Sequence, residues 1–330
     1  MLPRHVFICV ADHYEPFCNG ASPQLARERV ERWVRDYPTS VAGLSDSRGR
    51  MPQHSFFYPA EEYDPDVVET LAALCRSGLG EVEVHLHHDC DTSDHVRETL
   101  SGFIRQLSQR HGLLRRDAEG RLRFGFIHGN WALDNALGDG TWCGVNDEIT
   151  ILRELGCYAD FTMPSAPAHG QTRTINRIYY ATDDPQSAKS HDQGRPARVG
   201  QAAPNDGLLM IQGPLRWNWR QRKWGLMPRL ENGDLHGANI PSMSRFLVWL
   251  DAAVRVDGRP DWVFVKLHTH GAMEMNSNLF LAGPARQFHL DLADYVRQHP
   301  GLSYYYVTAR EMADLVAQAE RGCETPEWPY

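Results

Sequence analysis

The chain has 330 residues, 42% of them hydrophobic and 23% charged, which is enough apolar surface for one large α/β domain or two smaller ones and excludes a disordered or fibrous chain. Its net charge of −8 argues against a general nucleic-acid or membrane-surface binder, either of which needs a basic face. No run approaches the ~20 apolar residues of a membrane-spanning helix, so no integral membrane segment is expected. The first apolar run, Val6 to Ala11, is too short for a signal-peptide core. The 7 cysteines are irregularly spaced and include no CxxC pair, so reduced thiols and a cytoplasmic location are expected. Histidine stands out, with 16 copies, several of them at the ends of apolar runs.

In chain order, Val6–Ala11 reads as a first strand. A helix follows over Arg27–Tyr37, with Ser22 as N-cap and Pro23 at its first turn, and Val30, Trp33, Val34 and Tyr37 share one face. Ser55–Tyr58 is the second strand, and Asp64-Pro65 opens a helix that Gly78 closes. Val82–His87 is the third strand. A longer helix from Thr92 or Ser93 carries the stripe Val96, Leu100, Phe103, Ile104 and Leu107, and stops before Gly112. Arg123–Ile127 is the fourth strand, Asn146–Leu155 a helix ended by Gly156, and Asp160–Met163 the fifth strand. Leu208–Ile211, Trp262–Leu267 and Tyr304–Val307 complete eight strands. Helices are marked by Phe246, Leu247, Leu250 and Val254, by Phe288, Leu292, Tyr295 and Val296, and by the capping box Thr308/Glu311.

Strand–helix alternation over the whole length predicts a single domain, residues 1–330, built as a distorted β/α barrel of seven or eight parallel strands. Two polar, Pro- and Gly-containing segments interrupt the rhythm, Ser165–Asp206 and Pro214–Pro241. Both are expected to frame a pocket, since long irregular segments in a compact domain are usually lids or binding loops.

In such a barrel, catalytic groups sit where strands run into their following loops. The first strand ends Asp12-His13-Tyr14-Glu15. The third ends His85-Leu86-His87-His88-Asp89-Cys90-Asp91, the fourth His128-Gly129-Asn130-Trp131, and the seventh His268-Thr269-His270. Alternation along the third strand puts Glu83, His85 and His87 on one face and Val82, Val84 and Leu86 on the other, so the polar set points to the barrel axis. Asp91 follows His87 by four residues and converges with it if a helix has begun. Imidazole plus carboxylate suits zinc, with cobalt, nickel, manganese or iron as other divalent metals of the same class.

A single histidine is more often a hydrogen-bonded structural residue than a ligand, and His5, His54, His95, His111, His236, His289 and His299 take that reading. Cys9 reads as core. His85 or His88 suits an orienting role beside a ligand. Trp131, Trp142, Trp217, Trp219 and Trp224 suit either packing or stacking on a sugar face. Arg173 and Lys189, on the first long segment, suit a substrate carboxylate or phosphate, or a solvated loop.

These strand ends resemble the polysaccharide deacetylases (carbohydrate esterase family four), metal-dependent N-deacylases on a distorted β/α barrel. That family's first strand ends in two adjacent aspartates, a catalytic base and a metal ligand; Asp12-His13 stands there. Glu83-Val84-His85-Leu86-His87 fits the second motif with His87 as ligand, and Asp91 occupies the place of a further histidine. Leu267-His268 matches the last motif, whose histidine is the general acid. The family's arginine motif has no counterpart; Phe126 to Trp131 stands in its place. The chain as a whole resembles bacterial polysaccharide-deacetylase-like proteins associated with surface-glycan genes.

The resemblance implies a divalent metal held by His13, His87 and Asp91, Asp12 as base and His268 as acid, with His270 as the alternative acid. His85, His88, His128, Asn130, Trp131, His270 and Arg173 would surround ligands or substrate. The implied reaction removes an acetyl or formyl group from an amino sugar, free or lipid-linked, in surface polysaccharide biosynthesis. A glycoside hydrolase, using Asp12 or Glu15 with Asp89 or Asp91, and a non-catalytic glycan-binding or assembly protein are the alternatives.

Overall fold

The computed structural model describes residues 3–328, two residues short at each end of the single domain expected over 1–330. It contains strands β1 (His5–His13), β2 (His54–Pro59), β3 (Gly80–Leu86), β4 (Arg115–Arg116), β5 (Leu122–His128), β6 (Cys157–Asp160), β7 (Ile178–Thr182), β8 (Arg195–Pro196), β9 (Gly207–Ile211), β10 (Arg216–Lys223), β11 (Met227–Glu231), β12 (Trp262–Thr269) and β13 (Ser303–Tyr306). The helices are α1 (Pro23–Val41), α2 (Pro65–Leu74), α3 (Ser93–Gln109), α4 (Glu148–Leu155), α5 (Met243–Ala252), α6 (Glu274–Leu281), α7 (Pro284–Arg297) and α8 (Ala309–Glu320). Described helices are nowhere long and apolar enough to cross a membrane.

Local chemistry sets the helix ends. Ser22 accepts a hydrogen bond from the Leu25 N–H with Pro23 at the first turn of α1, and Asp64 accepts from Asp66 and Val67 at the start of α2. Thr92 caps α3, Gly156 ends α4 in the left-handed conformation, and Thr308 and Glu311 form both halves of a capping box on α8. α1 runs on through Pro38 to Val41, beyond the predicted end at Tyr37. α6 was not anticipated, because it has no strong apolar stripe.

Seven of the eight predicted strands are present largely where expected, while the fifth, expected over Asp160–Met163, lies earlier, at Cys157–Asp160; these eight strands pair in parallel as β12–β1–β2–β3–β5–β6–β9, with β13 also on β1. The strand pairing does not establish the expected distorted barrel. β12 and β13 both end on β1, and no ladder among the described residues joins them to β9. The reason lies in the first long segment, part of which is sheet: β7 runs antiparallel to β9, and β8 antiparallel to β7, continuing that edge. The second long segment contains the separate hairpin β10–β11.

The sheet has two differently filled faces. Val6 and Ile8 of β1, Val82, Val84 and Leu86 of β3, and Val263, Val265 and Leu267 of β12 form one core with α1 to α7. Phe7, Cys9 and Ala11, with Phe57, Ile127, Phe161 and Phe264, form a second core with α8, whose Met312, Leu315 and Val316 are buried in it. The Lys266 ammonium spans that second face and donates to the Phe161 carbonyl at 2.8 Å. Continued toward the strand C-termini, this inner face carries His13 from β1, His85 from β3 and His268 from β12.

Candidate metal centre

Period-2 alternation decides which strand-end side chains meet. Continuing the parity of Cys9 and Ala11 brings His13 and then Glu15 to the inner face. On β3 it brings His85 and then His87, and on β12 His268 and then His270. Glu15 is the hub. Its Oε1 lies 3.2 Å from His85 Nε2 and 3.5 Å from His87 Nε2, and its Oε2 lies 3.5 Å from His270 Nδ1. His13, Glu15 and His270 form one group able to hold a metal ion, and Glu15, His85 and His87 another, with ligand atoms in each within 4.8 Å of one another.

The hydrogen bonds behind the histidines make this more than proximity. His85 Nδ1 donates to the Ile127 carbonyl at 2.7 Å, and His87 Nδ1 meets Glu61 Oε1 at 2.5 Å. With Nδ1 engaged in this way, each ring points its Nε2 at the Glu15 carboxylate, the arrangement by which carbonyls and carboxylates orient metal-ligating histidines. Two states satisfy it: doubly protonated imidazoles, or a cation shared by the nitrogens and Glu15. His13 Nε2 is buried with no hydrogen-bond partner among the described residues, so it too has coordination capacity to give. The donor set fits a divalent metal of the zinc class.

The charges agree. Burial pushes the Glu15 carboxyl up, but hydrogen bonding to His270 and His85 prevails and holds it below the usual carboxylate range. Burial opposes the charged form of His87 and His270 also, yet Glu61 and Glu15 respectively raise them. Burial, followed by the neighbouring His270 and His85, drives His13 well down. Burial and then Lys266 do the same to His268.

Beside the centre lies a cavity of about 560 Å³ lined by Trp131, Pro164 to Ala168, Asn232, Asp234, His236, His268 and His270. The start of the first long segment and the end of the second thus form part of its wall. The Trp131 ring is 6.0 Å from His13 and 6.1 Å from His270. Asp234 approaches His268 Nε2 at 4.0 Å and His236 Nε2 at 3.4 Å, and burial raises its carboxyl.

The expected ligand trio is not brought together. His13 and His87 face Glu15, but the Asp91 carboxylate lies 2.8 Å from His95 Nδ1 and 3.4 Å from His88 Nδ1. Asp91 precedes α3, whose cap is Thr92, so His87 and Asp91 do not share a helical turn. Asp12, the expected base, has even parity and points to the opposite face from His13. It is fully buried, with one oxygen 2.7 Å from His54 Nε2 and the other accepting from the Gly271 N–H at 2.6 Å. His88 and His128 belong to a different cluster, treated below. Asn130 is exposed, at φ 51°. Arg173 lines a separate open cleft of about 810 Å³ and pairs with Asp192 at 3.3 Å. Trp142, Trp217, Trp219 and Trp224 are exposed, and none lines the histidine cavity.

The Asp12 pocket leaves no room for a larger residue at position 271. A Cβ on Gly271 would sit 2.1 Å from Asp12 Oδ2 and 3.0 Å from the Trp33 ring. Gly271→Ala is expected to lower stability by about 1–3 kcal/mol, the scale of overpacking, and an unchanged thermal midpoint would refute the account of this contact.

No family model and no curated protein matches the chain. Several solved structures do. One, an α-mannosidase from Enterococcus faecalis V583, aligns over 98% of this chain with 10% identity and a TM-score of 0.49, and the chain spans 30% of that protein's length. So distant a likeness carries no inference about activity, and the chemistry rests on the site itself.

Sequence reasoning passed over Glu61 and Asp234 and weighed Glu15 only for a glycosidase. Alternation through His13 leads directly to Glu15, so that signal was present. Glu61 reaches the site from the 3₁₀ turn Ala60–Glu62 just after β2, and Asp234 from the loop after β11, where no alternation leads to it.

Proposed function

We propose that the chain is a metal-dependent hydrolase acting on a carbohydrate. The observation that carries this reading is the convergence of His85 Nε2 and His87 Nε2 on Glu15, with both Nδ1 atoms already committed to Ile127 and Glu61. A divalent ion bound there supplies Lewis acidity and a bound water of lowered pKa. The chain's own residues do the rest. Glu15 would hold the ion either with His85 and His87 or with His13 and His270, Glu61 engages His87 Nδ1, and Trp131 offers an aromatic wall to a sugar ring.

The carboxylates favour a glycosidic bond as the one cleaved. Glycoside hydrolysis uses two carboxyl groups about the scissile bond. Asp234 lines the cavity, with its side chain 30% exposed, and Glu61, 34% exposed beside His87, is a second carboxylate at the centre that is not counted among the ion's ligands. Deacylation of an N-acetyl or N-formyl amino sugar, the reaction of the family the sequence resembles, is the second reading, favoured by His268 facing the cavity where a leaving amine would need a proton. Its expected base, Asp12, has both oxygens engaged and no exposure, so Asp234 would have to replace it.

The test is a panel of aryl glycosides, N-acyl amino sugars and their nucleotide conjugates, assayed with and without chelator. Metal-dependent release of reducing sugar is expected; metal-dependent release of acetate or formate would instead select the deacylase reading. Turnover undiminished by chelation and metal removal would overturn the metal-dependent reading.

A further inference from the structure

A second cluster lies on the other side of the β3 terminus, outside the centre just described. His88 follows β3, His128 ends β5, Cys143 lies in the segment between β5 and α4, and Glu148 opens α4. Their ligand atoms all lie within 4.8 Å of one another. His128, Cys143 and Glu148 have no solvent exposure, and the His88 side chain has 4%. His88 Nε2 is 2.9 Å from His128 Nε2 and 3.1 Å from Glu148 Oε1; His128 Nε2 is 3.4 Å from that same oxygen, and Cys143 Sγ is 3.6 Å from Glu148 Oε2.

The proton inventory makes this grouping unusual. His128 Nδ1 donates to the Gly129 carbonyl at 2.6 Å, so its Nε2 presents a lone pair to His88 Nε2. His88 Nδ1 is buried and faces the Asp91 carboxylate at 3.4 Å. With its proton on that side, His88 also turns a lone pair inward. Two imidazole nitrogens, a carboxylate and a thiol then converge in a space closed to water. Each histidine has a carbonyl or carboxylate behind it, as metal-ligating histidines do.

We infer that His88, His128, Cys143 and Glu148 form a second, structural metal site of the zinc class. Two imidazoles, one thiolate and one carboxylate make a closed four-donor set with no position left for substrate, the mark of a structural rather than a catalytic zinc site. Binding displaces the Cys143 thiol proton to solvent, leaving the thiolate as ligand.

Its role follows from where the ligands lie. Residues 132–147 contain no helix or strand, and a run of that length in a compact domain needs something to hold it. The site ties this run to the ends of β3 and β5. It also fixes the backbone beside His87, whose ring leaves no room for a Cβ on Gly129.

Cobalt(II) titration of the metal-free full chain tests the inference. Among the described residues Cys143 is the one cysteine grouped with other metal-competent side chains, so a thiolate-to-cobalt charge-transfer band is expected there, with the exposed Cys90 as the control. The expected result is such a band in wild type, retained in Cys90→Ser and in Glu15→Gln, and lost in Cys143→Ser together with one bound ion. A wild-type chain that binds cobalt without the band, or binds none, overturns the inference, and this reading does not depend on any variant folding. Persistence of the band in Cys143→Ser overturns it equally. Failure of the proposed function alone looks different: one ion per chain, with the band present.

Discussion

Glu15→Gln is expected to abolish metal binding at the histidine centre and with it to cut turnover by ~10²-fold or more, since the metal-dependent reading leaves no other source of that chemistry. Glutamine keeps the shape of the side chain but removes the charge on which His85, His87 and His270 converge. The fold should survive, since Glu15 is not part of either apolar core. Glu61→Gln should be milder, weakening metal affinity about 10–100-fold, because Glu61 orients His87 without joining the ligand set. Asp91→Asn should leave this centre loaded. Elemental analysis of the three purified variants, with circular dichroism as a control for folding, separates these outcomes. Full metal content at the histidine centre in Glu15→Gln would remove the basis of the proposed function.

Arg245→Met is expected to destabilise the chain by about 3–5 kcal/mol, the scale for breaking a buried ion pair from one side. Arg245 and Glu231 have side chains only 1% and 4% exposed and meet through two hydrogen bonds, at 2.7 and 2.8 Å. The same guanidinium donates to the carbonyls of Asp234, Asn239 and Ile240, and Glu231 also accepts from Trp249 Nε1 at 2.9 Å. Removing the cation strands a buried carboxylate and takes a donor from the carbonyls of Asp234, Asn239 and Ile240. It also frees the segment that brings Asp234 and His236 to the cavity, so activity should fall even where the remaining fold persists. Urea denaturation measures the loss. A change below about 1 kcal/mol would mean that water already satisfies these groups. Replacing both partners by leucine should recover part of the stability, because no charge is then left buried alone.

The helix caps at Ser22, Asp64, Thr92 and Thr308 were legible because capping is local: a side chain meets N–H groups two or three residues away. The eight parallel strands were legible for a similar reason, since a run of apolar and β-branched residues bounded by turns needs little context. The inward face of β3 was legible as well. Period-2 alternation separates Glu83, His85 and His87 from Val82, Val84 and Leu86 whatever the neighbouring strands do. The same rule applied to β1 separates Asp12 from His13 and joins His13 to Glu15. That grouping follows from the sequence alone.

Other features required the tertiary structure. Whether a polar segment is loop or sheet depends on an edge being free to pair with it. β7 and β8 therefore became visible only once β9 was in place to pair with them. Where Asp91, Glu61 and Asp234 point depends on how each chain turns after its strand, and no periodicity extends around a turn. The cluster of His88, His128, Cys143 and Glu148 draws on four separate parts of the chain, up to 60 positions apart. Sequence supplies these donors singly, and only the packing of α4 and residues 132–147 against β3 and β5 decides that they share one point in space.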